Sequence, residues 1–454
     1  MSGVDAPSRA RQRLSTGDVL VSMTRPNLNA VAIVPAKLDG AIGSTGFHVL
    51  RSKHMVSQYL YFLVQSQEFV HAMCAVVQGA LYPAVRPSDI GAFQMRIPSR
   101  AEQTRIVDKL EELLSDLDAG VADLKAAQKK LAQYRQSLLK AAVDGRLTEA
   151  WRAQHGEPEE SGAQLLARIL RERRARWDAK QLSKFETRGK APLNEWRDRY
   201  QTPAVPDTAS LRALPAGWVW ASVEQLAELV SGHTPKDADA SSVLNGAIPW
   251  FKVGDMNREG NEEWMVEAAV RFDPAAAQSI GMKIAPKGTI IFPKRGGAIA
   301  TNKKRRLACA SCYDLNTMGL VVVPLIEDWL WHWFMGIDLG SLSDGSNVPQ
   351  INNPDIAPLL LPIPSAAEQV EILSLLTAGL EGIADQVKWI ERSLKQSAAQ
   401  RKNILQAAFS GQLVPQDPND EPATALLERI RAERAASDRT RTGARRTRRT
   451  ASAA

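Results

Sequence analysis

The sequence predicts an α+β fold built twice: a globular unit of short strands and helices, a long charged helix, then the same pair again. Three observations carry this reading. The helix opening Pro98-Ser99-x-Ala101-Glu102-Gln103 returns as Pro364-Ser365-x-Ala367-Glu368-Gln369, with Glu102 and Glu368 standing 266 positions apart. That spacing holds without a gap from Pro83/Pro349 through Asp89/Asp355 and Arg135/Arg401 to Gly145/Gly411, so a duplicated unit is being read rather than a chance motif. Apolar residues after each opening recur at helical intervals. Short β-branched runs precede each opening.

Taken in chain order, Gly17-Asp-Val-Leu-Val21 and Gly288-Thr-Ile-Ile-Phe292 read as matching strands, with Gly319-Leu-Val-Val-Val323 as a further strand. Trp329-Leu-Trp-His-Trp333 answers Tyr59-Leu-Tyr-Phe-Leu63, and these aromatics read as the buried face of a helix packed on the sheet rather than as a stacking platform for bases. The first long helix has its seam at Ile106, Leu110, Leu113, Leu117, Val121, Leu124, Leu131, Tyr134 and Leu138. The second has Ile372, Leu376, Ile383, Val387, Ile390, Leu394, Ile404 and Ala408. Such seams with charge between them belong to long helices paired with other helices. A helix over 101–143 is about 60 Å long at ~1.5 Å per residue, more than one core needs. Gly120, Gly379 and Gly382 leave a local kink open. Each helix ends at a glycine, Gly145 or Gly411, followed by a loop and another charged helix, Leu165-Leu-Ala-Arg-Ile169 answering Leu426-Leu-Glu-Arg-Ile430. Pro192, Pro203, Pro206 and Pro215 mark a linker.

At 454 residues the chain exceeds a single core. No run reaches the ~18 apolar residues of a membrane span and the first residues are polar, so a cytoplasmic location is expected. Cys74, Cys309 and Cys312 are too few for a disulfide framework, and Cys309-x-x-Cys312 lacks the two further ligands of a structural zinc site, so ordinary reduced thiols are expected. The net charge is +7, but the run Asp438–Thr450 holds six arginines and one aspartate. A case for an acidic partner must therefore rest on local charge.

Phosphate-loop, dinucleotide-turn and paired-histidine signatures are not found, and Asn352-Asn353-Pro354-Asp355 lacks the second proline and aromatic of a base-flipping methyltransferase loop. The chemistry lies instead in residues 281–310, which carry Lys283, Lys287, Lys294, Arg295, Lys303, Lys304, Arg305 and Arg306 with no acidic residue. Pro293-Lys-Arg-Gly-Gly297 leaves a strand; glycine lets backbone approach a ligand while Lys and Arg reach phosphates or guanine edges. Ser346-Asn-Val-Pro-Gln-Ile-Asn352 adds amides able to read adenine, and its first-copy counterpart Ala80-Leu-Tyr-Pro-Ala-Val-Arg86 keeps the proline with different polar groups. The candidate DNA-contacting residues are Lys252, Lys294, Arg295, Asn302, Lys303, Lys304, Arg305, Asn347, Gln350 and Asn352, with Arg25, Asn27 and Arg86 in the first copy.

The paired Ile-Pro-Ser-x-Ala-Glu-Gln helices, the Gly-Thr-Ile-Ile-Phe and Gly-Asp-Val-Leu-Val strands, Leu214-Pro-Ala-Gly-Trp218, Ile248-Pro-Trp250 and Val348-Pro-Gln-Ile-Asn352 resemble the specificity subunit of type I restriction-modification systems over nearly the whole chain. The resemblance implies two α/β-type target-recognition domains separated by two long helices that form an antiparallel coiled-coil spacer, each domain reading half of a split site in double-stranded DNA. It also implies that the subunit is not itself an enzyme and binds no cofactor. Modification (methyltransferase) and restriction (ATP-dependent translocase and nuclease) subunits would dock on it, bringing S-adenosylmethionine, ATP and Mg. The docking and spacer positions carried over are Glu102, Gln103, Leu110, Leu117, Leu124, Glu368, Gln369, Leu376, Ile383 and Ile390. The organisation expected is a first recognition domain at 1–100, a first long helix at 101–147, a charged helix and linker at 148–213, a second recognition domain at 214–365, a second long helix at 366–413, a short terminal helix at 414–437 and a basic disordered tail at 438–454.

One departure stands out. The second copy runs 74 residues from Leu214 to Gly288, whereas only 16 precede Gly17, a difference of 58. The first domain is therefore expected to be incomplete, with the edges of Val19, Leu20 and Val21 exposed, through a misplaced start or through use of a second copy of the chain. The alternative readings are a degenerate coiled-coil interaction protein, a half-specificity subunit working as a homodimer, and a fused nuclease-methyltransferase, which the missing motifs argue against.

Overall fold

The structure, a computed structural model, describes residues 7–78, 83–189, 191, 195–236 and 246–436. The expected tail at 438–454, the loop residues Ala80, Leu81 and Tyr82, and Pro192 lie outside the described residues. In chain order the strands and helices begin with β1 (Ala10–Arg13), β2 (Val19–Ser22), β3 (Val31–Ile33), β4 (Ile42–Ser44), β5 (Phe47–Leu50), α1 (Ser57–Leu63), α2 (Gln67–Ala75), α3 (Pro87–Gly91) and the 44-residue α4 (Arg100–Val143). Then come α5 (Glu149–His155), α6 (Gly162–Thr187), β6 (Val219–Ser222), α7 (Val223–Leu226), β7 (Ala227–Ser231), β8 (Ile248–Phe251), β9 (Trp264–Met265), β10 (Val270–Phe272), α8 (Pro274–Ser279) and β11 (Ile290–Pro293). The chain continues through β12 (Arg305–Leu307), β13 (Cys312–Tyr313), β14 (Thr317–Val322), α9 (Glu327–Met335), α10 (Asn353–Ile356), β15 (Leu360–Ile363) and the 45-residue α11 (Ala366–Ser410), followed by a helix over 423–436.

Two compact units result, unit 1 of residues 1–129 with 386–454 and unit 2 of residues 130–385. The larger sheet of unit 1 runs β3-β2-β5, beside the antiparallel pair β1-β4, and the largest sheet of unit 2 runs β7-β14-β11-β12-β9. The central trio β12-β11-β14 has the order of the three-stranded sheet of unit 1, antiparallel throughout. The sequence repeat is thus a repeat of topology. Unit 2 adds the flanking β7 and β9, a three-stranded sheet β10-β8-β13 and the pair β15-β6.

In unit 1, β2 lies between two strands, and Val19 and Val21 are buried in a core with Leu60, Leu63, Phe69, Met73 and Ile90. This corrects the expectation of exposed edges: alternate residues of a central strand face the helices that cover the sheet, and α1 and α2 cover it. In unit 2 the expected helix aromatics are interior, Trp329 and Phe334 being fully buried and Phe334 packing edge-on against Phe292 of β11 at 5.2 Å.

Each long helix starts on a serine cap, Ser99 Oγ accepting from Glu102 N at 3.0 Å and Ser365 Oγ from Glu368 N at 3.2 Å. Each ends before a glycine in the left-handed region, Gly145 at φ 72° and Gly411 at φ 80°. Both helices pass through Gly120, Gly379 and Gly382 unbroken. At Gly379 the reason is packing: a Cβ there would lie 2.7 Å from Cδ2 of Leu138 on α4. Within unit 1, Ile106, Val107, Leu110 and Leu114 of α4 meet Leu405 and Ala408 of α11 together with Tyr59 and Phe62, so the start of one helix packs on the end of the other. Leu110, Leu376, Ile383 and Ile390 are buried, whereas Leu117 and Leu124 are half-buried. Asp118 and Arg401 form an ion pair across the seam of unit 1. The proline-containing stretch is less bare than expected: Trp196 stacks on Trp177 of α6 at 5.7 Å and is buried.

Among the described residues no helix is long and apolar enough to cross a membrane, and no group of three or more His, Cys, Asp or Glu side chains is placed to hold a metal. Cys309 is exposed and Cys312 buried, and burial pushes the Cys312 thiol up to about 11.

Candidate nucleic-acid interface

β11 ends at Pro293, and the next three residues are held from both sides. Lys294 N donates to Asn316 O at 2.8 Å, Ile351 N donates to Lys294 O at 2.9 Å, and Gly296 N donates to Pro349 O at 2.8 Å. Arg295 bridges Gln350 in the backbone, and its guanidinium donates to Gln350 Oε1 at 3.2 Å. Lys294 Nζ donates to Ser231 Oγ at the end of β7 at 3.1 Å. The structure thus brings Lys294, Arg295 and Gln350 together. Partial burial lowers the Lys294 amine below its usual value, and the neighbouring Arg295 and Lys283 lower it further. Crowded cations of this kind favour an anion, since a phosphate placed among them would relieve both desolvation and repulsion.

The facing loop is organised by Asp344, whose Oδ1 accepts from Ser346 N at 3.2 Å, Ser346 Oγ at 2.9 Å and Gln350 N at 3.1 Å. These bonds hold its carboxyl below the usual carboxylate range. Asn347 and Asn352 are exposed, and Asn352 caps α10, its N donating to Asp355 Oδ2 at 2.7 Å. Lys252 is exposed above the Trp250 ring at 4.7 Å, next to Phe251, whose carbonyl accepts from Asp314 N. Lys303 is half-buried and donates to Asn257 Oδ1.

Three of the candidates are corrected. Lys304 is 1% exposed, donating to Ile337 O at 2.5 Å and Asn302 Oδ1 at 2.8 Å, and burial lowers its amine to about 8. Arg305 turns inward to Met256 O and Lys304 O. Asn302, though exposed, holds a left-handed turn at φ 52° and accepts from Leu339 N at 3.0 Å, which gives it a structural task. Their neighbour Arg306 is also interior, ion-paired to Glu263 and Asp328. The stretch looked acid-free because its carboxylates come from Glu263, just before β9, and Asp328 of α9, both outside the run.

Unit 1 repeats the frame. Val85 N donates to Met23 O and Arg25 N to Pro83 O, both at 2.8 Å, and Thr24 bridges Ala84. Met23-Thr24-Arg25 therefore occupies the place of Lys294-Arg295-Gly296, with different side chains on the same scaffold. Arg25 is exposed and left-handed at φ 49°, a conformation that costs an L residue about 1–2 kcal/mol. Asn27 and Arg86 are exposed, and Arg86 N donates to Asp89 Oδ2 at 2.7 Å as Asn352 does to Asp355.

The docking candidates at the helix starts differ from expectation at Glu368, Gln103 and Gln369, which are buried, while Leu110 and Leu376 are buried as seam residues. Glu368 is buried and accepts from Thr148 Oγ1 at 2.6 Å, Trp218 Nε1 at 2.7 Å and Arg152. Gln103 is fully buried, joining Val56 N and Pro98 O, and Gln369 is buried too. Leu110 and Leu376 lie wholly inside their units. These residues fasten each long helix to its own globular part. Glu102 is half-buried. Sequence reading missed Ser231, Asn316 and Asp344; the Asp344-Gly345 turn pair was a legible signal for the last.

A duplicated sheet-and-helix frame that presents unlike polar loops at the end of its central strand has the form of a recognition module. Residues 215–387 match the family described as the type I restriction modification DNA specificity domain. The type I restriction enzyme EcoDI specificity subunit of Escherichia coli is 26% identical over 397 residues, covering 84% of this chain and 77% of that protein. The EcoKI specificity subunit of Escherichia coli K12 is 26% identical over 153 residues, 33% of this chain and 32% of that protein. The EcoAI specificity subunit of Escherichia coli is 66% identical over a short stretch of 35 residues, 8% of this chain and 6% of that protein. A chain from a structure describing complex assembly and conformational transition of the type I restriction-modification system superposes with a TM-score of 0.66 at 20% identity, covering 91% of this chain and 86% of that one, and so shares the fold. The chain is thus similar over most of its length to type I restriction enzyme specificity subunits, and residues 215–387 match the DNA specificity domain of that family.

Proposed function

We propose that this subunit reads a two-part site in double-stranded DNA, unit 2 through Lys294, Arg295, Gln350, Asn347 and Lys252, and unit 1 through Arg25, Asn27 and Arg86. The observation that carries the reading is the repeated backbone frame, in which matching hydrogen bonds hold two loops of unlike side chains. A fixed frame with exchanged tips lets one fold read two sequences, because phosphate contacts position a protein on DNA while side chains at base edges specify the sequence. The long helices serve as the ruler between the half-sites. Catalysis belongs to partners: modification subunits bring S-adenosylmethionine for methyl transfer, restriction subunits bring ATP and Mg for translocation and cleavage, and this chain supplies neither. Their docking surface is the exposed side of α4 and α11, since the inward side is already taken by each unit's own core.

Single-molecule mapping of methylated bases in cells expressing the chain with its modification subunit tests this. A split motif that appears only when the chain is present is the expected result. A methylation pattern unchanged by its removal would refute it.

A further inference from the structure

Two exposed apolar side chains stand beside the cationic turn of unit 2. Lys294 N donates to Asn316 O, and the residue before Asn316, Leu315, is 40% exposed. Gly296 N donates to Pro349 O, and the residue before Pro349, Val348, is 54% exposed. Scattered exposed hydrophobes are ordinary on a protein surface. Val348 differs because its surroundings hold it outward. The Ser346 hydroxyl is shared between Asp344 Oδ1 at 2.9 Å and Val348 O at 2.8 Å, which pins the backbone on both sides of Asn347. The proline that follows keeps Val348 out of the helical region, and branching at Cβ restricts its χ1. The result is a stiff apolar knob, ordered before any ligand arrives.

The polar neighbour of this knob narrows the ligand. Gln350 accepts from Arg295 at its Oε1 at 3.2 Å and donates its backbone N to Asp344, so the side-chain N–H is the group it has left to offer. An apolar group two positions from an amide donor matches one base edge. In the major groove thymine presents a C5 methyl beside the O4 acceptor, whereas cytosine turns an N4 donor toward the same place and the purines carry no methyl. Leu315 lacks such a companion, because the adjacent Asn316 amide is engaged with Asp314 Oδ2 at 3.2 Å.

We propose that Val348 and Gln350 together recognise one thymine in the half-site read by unit 2, Val348 lying against the C5 methyl while the Gln350 side-chain N–H donates to O4. This rests on the reading of unit 2 as a DNA-reading module and gives it a base. Arg295 beside them carries the charge that draws the duplex in, and the apolar knob supplies discrimination that charge alone cannot.

The test titrates the assembled methyltransferase, this chain with its modification subunits, against fluorescein-labelled duplexes of its mapped site in which each thymine in turn is replaced by deoxyuridine, a change that removes only the methyl. At one thymine the replacement should weaken binding about fourfold, the effect of burying one methyl-sized group. That penalty should vanish in Val348→Ala and persist in Leu315→Ala; both side chains are exposed, so neither change threatens the fold. A pair of 5-methylcytosine with guanine at the same position keeps the methyl but replaces O4 by a donor, and should weaken binding about tenfold. Uracil tolerated at every position, or a penalty that survives Val348→Ala, overturns the methyl contact, and undiminished binding of the 5-methylcytosine duplex overturns the role of Gln350. Equal affinity for the mapped site and for a duplex with both half-sites scrambled would instead remove the DNA-reading function itself, and the thymine contact with it.

Discussion

Lys294 and Lys304 lie ten positions apart in one basic run, yet only the first is free to meet an anion. Charge composition cannot separate them, because the difference lies in tertiary structure: Lys304 enters the interior to bond Ile337 O, while Lys294 stands at the end of the central strand β11 beside Arg295. Replacing Lys294 and Arg295 with alanine is expected to weaken DNA binding by the assembled methyltransferase and to flatten its salt dependence. Each phosphate contact contributes about 0.9 to the slope of log affinity against log salt, so the loss should be one to two such increments; an unchanged slope would assign both residues to solvated surface. Lys304 calls for a different measurement. Its amine titrates near 8 in the folded chain and near 10.5 when unfolded, so the unfolded state holds the extra proton between these values. The cost of burying this charge is therefore present below pH 8 and is relieved as the pH rises toward 10.5. Ten of the eleven tryptophans lie in unit 2, so urea unfolding followed by their fluorescence reports on its surroundings. Relative to Lys304→Met, the native chain should gain stability from pH 8 to 10, and parallel pH profiles would contradict the burial.

At the scale of elements, the duplicated strand, helix and capped turn were legible because each obeys a local rule that survives divergence. Proline and serine open the long helices, glycine closes them, and the seam keeps its helical interval. What stayed hidden were partnerships between distant segments. Nothing local in Ala227–Ser231 says that β7 extends the sheet beside β14, and nothing in Glu368 says that a glutamate at a helix start will be buried under Trp218. The burial decides what these residues do. Leu110→Ala should destabilise unit 1 by about 2–5 kcal/mol, the range for truncating a fully buried leucine, measured as a shift in amide-exchange protection at α1 and α4. Glu368→Leu leaves the Trp218 N–H without its acceptor and the half-buried Arg152 without its counter-charge, so it should destabilise unit 2 by about 3–5 kcal/mol, whereas Glu368→Gln keeps an acceptor and should lose less. Equal losses in the two variants would show that the charge, not the hydrogen bonds, is what holds that corner.

For the whole molecule, the proposed ruler makes a quantitative claim that side-chain recognition alone does not. If α4 and α11 set the distance between two reading edges, lengthening both by one heptad in the same part of the seam preserves the apolar register, because seven residues are close to two helical turns. The added length is about 10 Å at 1.5 Å per residue, which matches about three base pairs at 3.4 Å per step. The methylated motif should keep both half-sites while the unspecified gap between them grows by about three positions. Two helical turns return the added helix to nearly its starting face, but three base pairs rotate the DNA by roughly a third of a turn. The variant enzyme should therefore bind its new site more weakly than the parent binds its own, while discriminating bases equally well. Methylome sequencing of cells expressing the lengthened subunit reads the gap directly. An unchanged gap would mean that the half-site spacing is set by the partner subunits or by the DNA, and that the helices serve only as a surface on which those partners assemble.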